Sequence, residues 1–236
     1  MLRLDSDGSA ASLARLDLAH VKLAPYAGSV YPPCHGTALL LAALTAEAQA
    51  LREQKPALCV ELGCGCGAAA TLLAQLLPQA HVIASDIGAA AVRAAAETGG
   101  RNGAKVQALR ADLLSSFRPR TVDVAVFHIP YVPTSQEVLE ESAAKADFTS
   151  TWAGGPRGLA LLVRLLPIVR RVLAPAGVVY LLFYEVDEIS QLLAAAGLRA
   201  VPCAMFQSPA ETVYVLRCTR EPGVALEEEV EVAACA

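Results

Sequence analysis

Short apolar runs alternate with longer stretches whose apolar residues recur every three or four positions, and the alternation extends over most of the chain. The runs at residues 57–62, 81–85, 106–110, 121–127 and 177–183 have the length and unbroken apolar character of strands buried on both faces. Between them, residues 68–77 and 89–96 are predicted helices. Residues 36–52, where Leu39, Leu40, Ala43, Leu44, Ala48 and Leu51 keep helical spacing, predict another that packs beside the first strand. Residues 99–103, Gly-Gly-Arg-Asn-Gly, predict a turn, and the acidic residues 135–148 a loop or short helix. A helix ending at Leu173 carries a kink at Pro167, another helix spans 185–196, and residues 200–207 and 211–219 predict a closing strand pair. Strands and helices in this order predict an α/β fold, with a mostly parallel seven-stranded sheet, an antiparallel last strand and helices on both faces.

The seam between the first strand and its helix reads Val60-Glu61-Leu62-Gly63-Cys64-Gly65-Cys66-Gly67. Glycines here permit a tight turn and let a ligand lie against the backbone and the helix N-terminus. The spacing is G-x-G-x-G, not the dinucleotide G-x-G-x-x-G, and an acid stands two residues before the first glycine. Asp86, with Ile87 beside it, ends the second strand about 19 residues beyond Gly67, where a carboxylate meets ribose hydroxyls in nucleotide folds. Asp112 ends the third strand, and in a nucleotide site its carboxylate would accept from the adenine amino group while Leu113 offers its backbone amide. Each aspartate also suits a helix N-cap, and both readings stay open on spacing alone. Thr37 either caps the helix it opens or contacts a ligand.

At 236 residues the chain fits one domain, here residues 31–220, with a loosely attached N-terminal arm at 1–30 and an acidic tail at 221–236 that includes Glu227 to Glu229. The apolar stretches are broken before the ~18 residues of a membrane span. No signal pattern opens the chain, so the cytosol or nucleus is expected. Seven cysteines without a C-x-x-C predict no metal site, and Cys59, Cys64 and Cys66 read as small apolar residues. A net charge of −4 makes nucleic acid an unlikely partner and favours a protein or small-molecule substrate.

His128-Ile129-Pro130-Tyr131 follows the fourth strand, at the sheet edge where ligands sit in open α/β folds. The glycine loop resembles motif I of Rossmann-like methyltransferases that use S-adenosylmethionine. Together with Asp86, Asp112, the strand-end Pro-Tyr and Trp152-Ala153-Gly154-Gly155, the chain resembles the HemK-like methyltransferases from about Tyr31 to Arg217, most closely their eukaryotic branch. That resemblance implies a class I fold and N5-methylation of the glutamine in the Gly-Gly-Gln motif of a translation termination factor. It implies Thr37, Glu61, Gly63, Gly65, Gly67, Asp86, Ile87, Asp112, Leu113 and His128 as cofactor-binding residues, and His128, Ile129, Pro130 and Tyr131 as catalytic ones. It also implies a small zinc-binding activator protein as heterodimer partner, in line with the mean hydropathy of +0.44.

Two segments depart from the family pattern. The family tetrapeptide is Asn-Pro-Pro-Tyr, whose Asn oxygen and following carbonyl accept the two N–H bonds of the target amide; here His128 replaces Asn and Ile129 the first Pro. A neutral imidazole retains one acceptor nitrogen. The lead-in segment of the branch resembles Tyr-Glu-Pro-Ala-Glu-Asp-Thr, and this chain keeps Tyr31, Pro33 and Thr37 but places Pro32, His35 and Gly36 at the acidic positions. Methylation of another amino nitrogen, on lysine or adenine, and a non-catalytic cofactor-binding role are the alternatives.

Overall fold

The computed structural model describes residues 1–4, 16–23, 25–145, 148–184, 187–207 and 212–221. The apolar runs form strands β1 (Leu2–Leu4), β2 (Leu58–Leu62), β3 (His81–Asp86), β4 (Val106–Arg110), β5 (Val122–His128), β6 (Leu173–Phe183), β7 (Leu198–Gln207) and β8 (Thr212–Arg220). They make one sheet in the order β1-β7-β8-β6-β5-β2-β3-β4, parallel except for β8, which runs antiparallel to both β6 and β7. The chain winds outward from β2 to β3 and β4, then returns across β2 to β5 and β6. The crevice left at that reversal lies at the C-terminal tips of β2 and β5. Register there is pinned at the other end, where the Asp123 carboxylate accepts the N–H groups of Ala57 and Leu58 at 2.8 and 2.9 Å.

Seven α-helices lie among the described residues: α1 (His35–Ala46), α2 (Ala48–Gln54), α3 (Ala68–Leu76), α4 (Ala89–Arg101), α5 (Gln136–Lys145), α6 (Ala160–Val172) and α7 (Asp187–Ala195). Apolar residues of α1 to α4 bury one sheet face with Cys59, Val124, Val126, Val178, Tyr180 and Leu182. Residues of α6 and α7 bury the other with Val60, Leu62, Ala125, Phe127, Val179 and Leu181. Successive residues of β5 and β6 therefore enter opposite cores, which is why these strands are apolar without a break.

Among the described residues the sheet has eight strands rather than seven. The added strand, β1, pairs with β7 through Leu2 opposite Ala204 and is too short for periodicity to reveal it. The described part of the N-terminal arm is not loose: Leu16, Val21, Tyr26 and Val30 are buried against the α1–α4 face, and Asp17 pairs with Arg101 at 2.7 Å. The single helix expected at 36–52 breaks at Glu47, whose carboxylate accepts from the Tyr180 hydroxyl at 3.2 Å and pairs with Arg217. Helix α4 continues through the expected Gly99-Gly100 turn. Gly99 serves close packing instead, since a Cβ there would lie 3.0 Å from Val106 Cβ. The acidic tail beyond Glu221 lies outside the described residues.

Gly67 joins the loop after β2 to α3 at φ +72°, and a Cβ on it would fall 2.6 Å from the Cα of Ala95 in α4. Gly67→Ala should therefore cost about 2 kcal/mol or more of folding stability through overpacking. Urea unfolding checks this, and an unchanged midpoint would contradict it.

Candidate active site

The C-terminal tips of β2, β3 and β5, the turn after β4, the first turn of α1 and the segments around α5 and α6 surround a cavity of about 690 Å³. Of the residues singled out from sequence, Thr37, Glu61, Gly63, Gly65, Asp86, Ile87, Asp112, Leu113, His128, Ile129, Pro130 and Tyr131 all line it. Gly67 does not; its lack of a side chain serves the contact with α4 rather than a ligand.

Glu61 is buried and turned toward α3, where its two carboxylate oxygens accept the N–H groups of Ala69 (3.3 Å) and Ala70 (2.7 Å) in the first turn. It thereby satisfies donors that the helix leaves open and meets the positive end of the helix dipole. Burial outweighs those bonds and pushes its carboxyl up to about 8, with the nearby Asp86 charge acting in the same direction. Asp86 accepts from Gly65 N–H at 3.1 Å and Gly88 N–H at 2.8 Å, so it caps its own turn and also grips the glycine loop. Its carboxyl is likewise raised, chiefly by burial. Gly65 stands at φ +48°, and the nearest atom to a Cβ there would be the Gly63 carbonyl oxygen at 4.0 Å. The loop is thus open on its cavity side, as a backbone cradle for a ligand must be. Ile87 is an exposed apolar side chain beside Asp86 on the cavity wall.

Asp112 is half exposed and takes a bond from the guanidinium of Arg164 in α6 at 2.7 Å. Leu113 holds φ +50°, a costly conformation for a leucine, at the cavity wall. Thr37 caps α1: its hydroxyl accepts the Cys34 N–H at 3.2 Å in a reciprocal capping box. Cys64 and Cys66 line the cavity as buried thiols whose pKa burial raises, for Cys66 to about 12. No group of three or more metal-ligating side chains occurs among the described residues.

The tetrapeptide leaves β5 between the two cores. Ile129 sinks its side chain into the α6–α7 core at 1 % exposure, so its backbone is what it offers the cavity. His128 has no hydrogen-bond partner on either ring nitrogen among the described residues, and burial lowers its pKa to about 4. Its imidazole is neutral at pH 7, with one donor and one acceptor for a ligand. Tyr131 packs on Phe183 and Tyr184 at centroid distances of 5.5 and 5.3 Å, and its ring lies 6.2 Å from that of His128. The Trp152-to-Gly155 segment fixes the chain that follows. Val132 and Ala153 form a parallel bridge, with Val132 N–H donating to Trp152 O at 3.1 Å and Gly154 N–H to Val132 O at 2.8 Å. Sequence reasoning missed Arg164, Gly36 and Phe127 as lining residues, because each comes from an element whose face is set by tertiary packing.

These two titratable groups act on stability in opposite directions. Between pH 4.5 and about 8 the folded chain keeps a proton on Glu61 that the unfolded chain releases, so stability falls as pH rises through that window. Between about 4 and 6.5 the unfolded chain protonates His128 and the folded one does not, so stability is lost as pH falls. Urea midpoints measured across pH should show Glu61→Gln removing the first slope and His128→Asn the second. Slopes identical to wild type would place these groups in solvent.

Comparison with known proteins agrees with this geometry. Residues 33–147 match the family described as methyltransferase small domain. The human protein named Methyltransferase HEMK2 is 33 % identical over 198 residues, spanning 81 % of this chain and 90 % of that protein. The Schizosaccharomyces pombe protein named eRF1 methyltransferase catalytic subunit mtq2 is 31 % identical, over 81 % of this chain and 89 % of its own length. Among solved structures, the E. cuniculi Mtq2-Trm112 complex, described as responsible for methylation of the eRF1 translation termination factor, matches with TM-score 0.61 and 25 % identity. That match covers 82 % of this chain and 99 % of the other. Three carboxylates, an open glycine loop and a strand-end Pro-Tyr meet in one cavity, and relatives agree along nearly their whole length: the chain belongs to the HEMK2 and Mtq2 family of S-adenosylmethionine-dependent methyltransferases.

Proposed function

We propose that this protein methylates the side-chain amide of the glutamine in the Gly-Gly-Gln motif of a translation termination factor. The observation that carries the reading is the shared cavity, in which carboxylates suited to a nucleoside face a tetrapeptide suited to an amide. Relatives named for methylation of eRF1 support the choice of substrate.

The residues present fit the cofactor. Gly63 and Gly65 offer a side-chain-free wall, Asp86 has lone pairs for ribose hydroxyls beyond the two N–H bonds it accepts, and Ile87 offers an apolar face for the base. Asp112 would accept from the adenine amino group while Arg164 holds its carboxylate, and Leu113 contributes its backbone. Glu61 fixes the loop through α3, and Thr37 fixes the opposite wall. S-adenosylmethionine, when bound, supplies an electrophilic methyl group.

What the chain itself does is orient a poor nucleophile. The Ile129 carbonyl and the acceptor nitrogen of His128 would receive the two N–H bonds of the substrate amide, with the Tyr131 ring packed alongside. Because the imidazole stays neutral down to about pH 4, its acceptor is available at physiological pH. Fixing both N–H bonds turns an encounter into a near-attack geometry, and the partly enclosed wall removes competing water.

A second, small zinc-binding protein is proposed as partner. The Mtq2 of E. cuniculi is found in a complex with Trm112. In this chain β4 is a sheet edge hydrogen-bonded on one side only, to β3, with Gln107, Ala108 and Arg110 exposed, and it offers backbone groups for strand addition. We place the work of the protein in the cytosol or nucleus; no described helix is long and apolar enough to cross a membrane.

Asp86→Ala should weaken S-adenosylmethionine binding by about 100-fold in calorimetry, since it removes a ribose acceptor and frees the Gly65 loop. Unchanged affinity would take Asp86 out of the site. With labelled cofactor and, where required, the zinc-binding partner, wild type should label the termination factor but not a Gly-Gly-Asn variant of it. Cofactor binding without transfer to any acceptor would favour the non-catalytic reading that His128 motivates, and labelling of lysine or adenine would replace the substrate.

A further inference from the structure

The structure brings the segment that opens α1 and the tetrapeptide that ends β5 into contact. Gly36 is the second residue of α1, and a Cβ built on it would lie 2.8 Å from Cε1 and 3.1 Å from Nε2 of His128. Real Cβ atoms do not approach a carbon so closely, so the imidazole occupies the volume that any side chain at position 36 would need. The turn that carries Gly36 is fixed by the Cys34–Thr37 capping box, and Cys34 Sγ lies 3.5 Å from the same point. Backbone retreat on that side is therefore restricted. Elsewhere the ring stacks with Tyr131 at 6.2 Å between centroids, and neither nitrogen is hydrogen-bonded to a described residue, so no hydrogen bond fixes its rotation. Gly36 itself has an ordinary helical φ, so glycine is not needed there for conformation.

We propose that Gly36 is a positioning residue: by carrying no side chain it reserves the space in which the His128 ring stands at the cavity wall, and so aims the ring's acceptor nitrogen at the substrate amide. The inference rests on the amide-methylating reading of the site. It makes His128 and Gly36 a single structural unit, in which a bulky acceptor is admitted by a neighbour without a side chain. Placement of the ring against the positive end of α1 also disfavours imidazolium and keeps the acceptor lone pair in place.

A double-mutant cycle in methyl transfer to the termination factor tests this. Gly36→Ala should lower kcat by about tenfold or more, because small misplacements of an orienting group are costly. Its cofactor affinity should stay within about twofold of wild type, and its melting temperature should change little, since the His128 ring rather than backbone gives way and alanine is the better helix former. In the His128→Asn background, where the shorter side chain leaves room, the same Gly36→Ala change should alter kcat by less than about twofold. Equal losses in both backgrounds, or no loss in wild type, would overturn the proposal. The His128 ring resonances in NMR spectra give a second readout independent of turnover: they should shift in Gly36→Ala, and unchanged resonances would also overturn it. Failure of the substrate reading looks different, because wild type itself would not label the factor.

Discussion

The carboxylate of Asp86 joins the tip of β2 to the tip of β3, taking the Gly65 N–H from one and the Gly88 N–H from the other. Glu61 does the same between β2 and α3. Glu61 is buried and Asp86 half-buried, and desolvation raises both pKa values, so each is stable there only because backbone donors meet it. The glycine loop, with three glycines at positive φ within five residues, is held in its open form by this pair of acceptors. Without them the loop would have no reason to leave the crevice at the sheet reversal empty of side chains. The candidate cofactor site depends first on these bonds, and the fold around it supplies the strands that bring them together.

The opposite wall is built by packing. Tyr131 rests on Phe183 and Tyr184, Ile129 is drawn into the α6–α7 core, and the Val132–Ala153 bridge fastens the chain beyond. A glycine at the start of α1 leaves the imidazole its space. Polar grip on one side and apolar grip on the other leave between them a cavity where the His128 nitrogens, which no described residue hydrogen-bonds, and the open face of the glycine loop point to chemistry rather than structure.

Much of this was legible in the sequence because it depends on local pattern. Continuous apolar runs marked strands buried on both faces, and a carboxylate at the end of a run marked a strand tip, which is why Glu61, Asp86 and Asp112 could be singled out as residues that line one cavity. What sequence missed depends on partners distant along the chain. β1 is three residues long and exists only by pairing with β7. Leu16, Val21, Tyr26 and Val30 looked like a loose arm because their core is supplied mainly by α1, α3 and α4. Gly67 and Gly99 resemble loop glycines, yet each answers to a residue across a helix contact, Ala95 and Val106. Arg164 reaches Asp112 over a separation of 52 residues, and no spacing rule links the two.

The most direct test is diffraction from crystals grown with S-adenosylmethionine or its demethylated product. The nucleoside should lie across the tips of β2, β3 and β4, its ribose on Asp86, its base near Asp112 and its sulfur turned toward the gap between His128 and the Ile129 carbonyl. A nucleoside bound elsewhere, or none bound at saturating concentration, would contradict this placement.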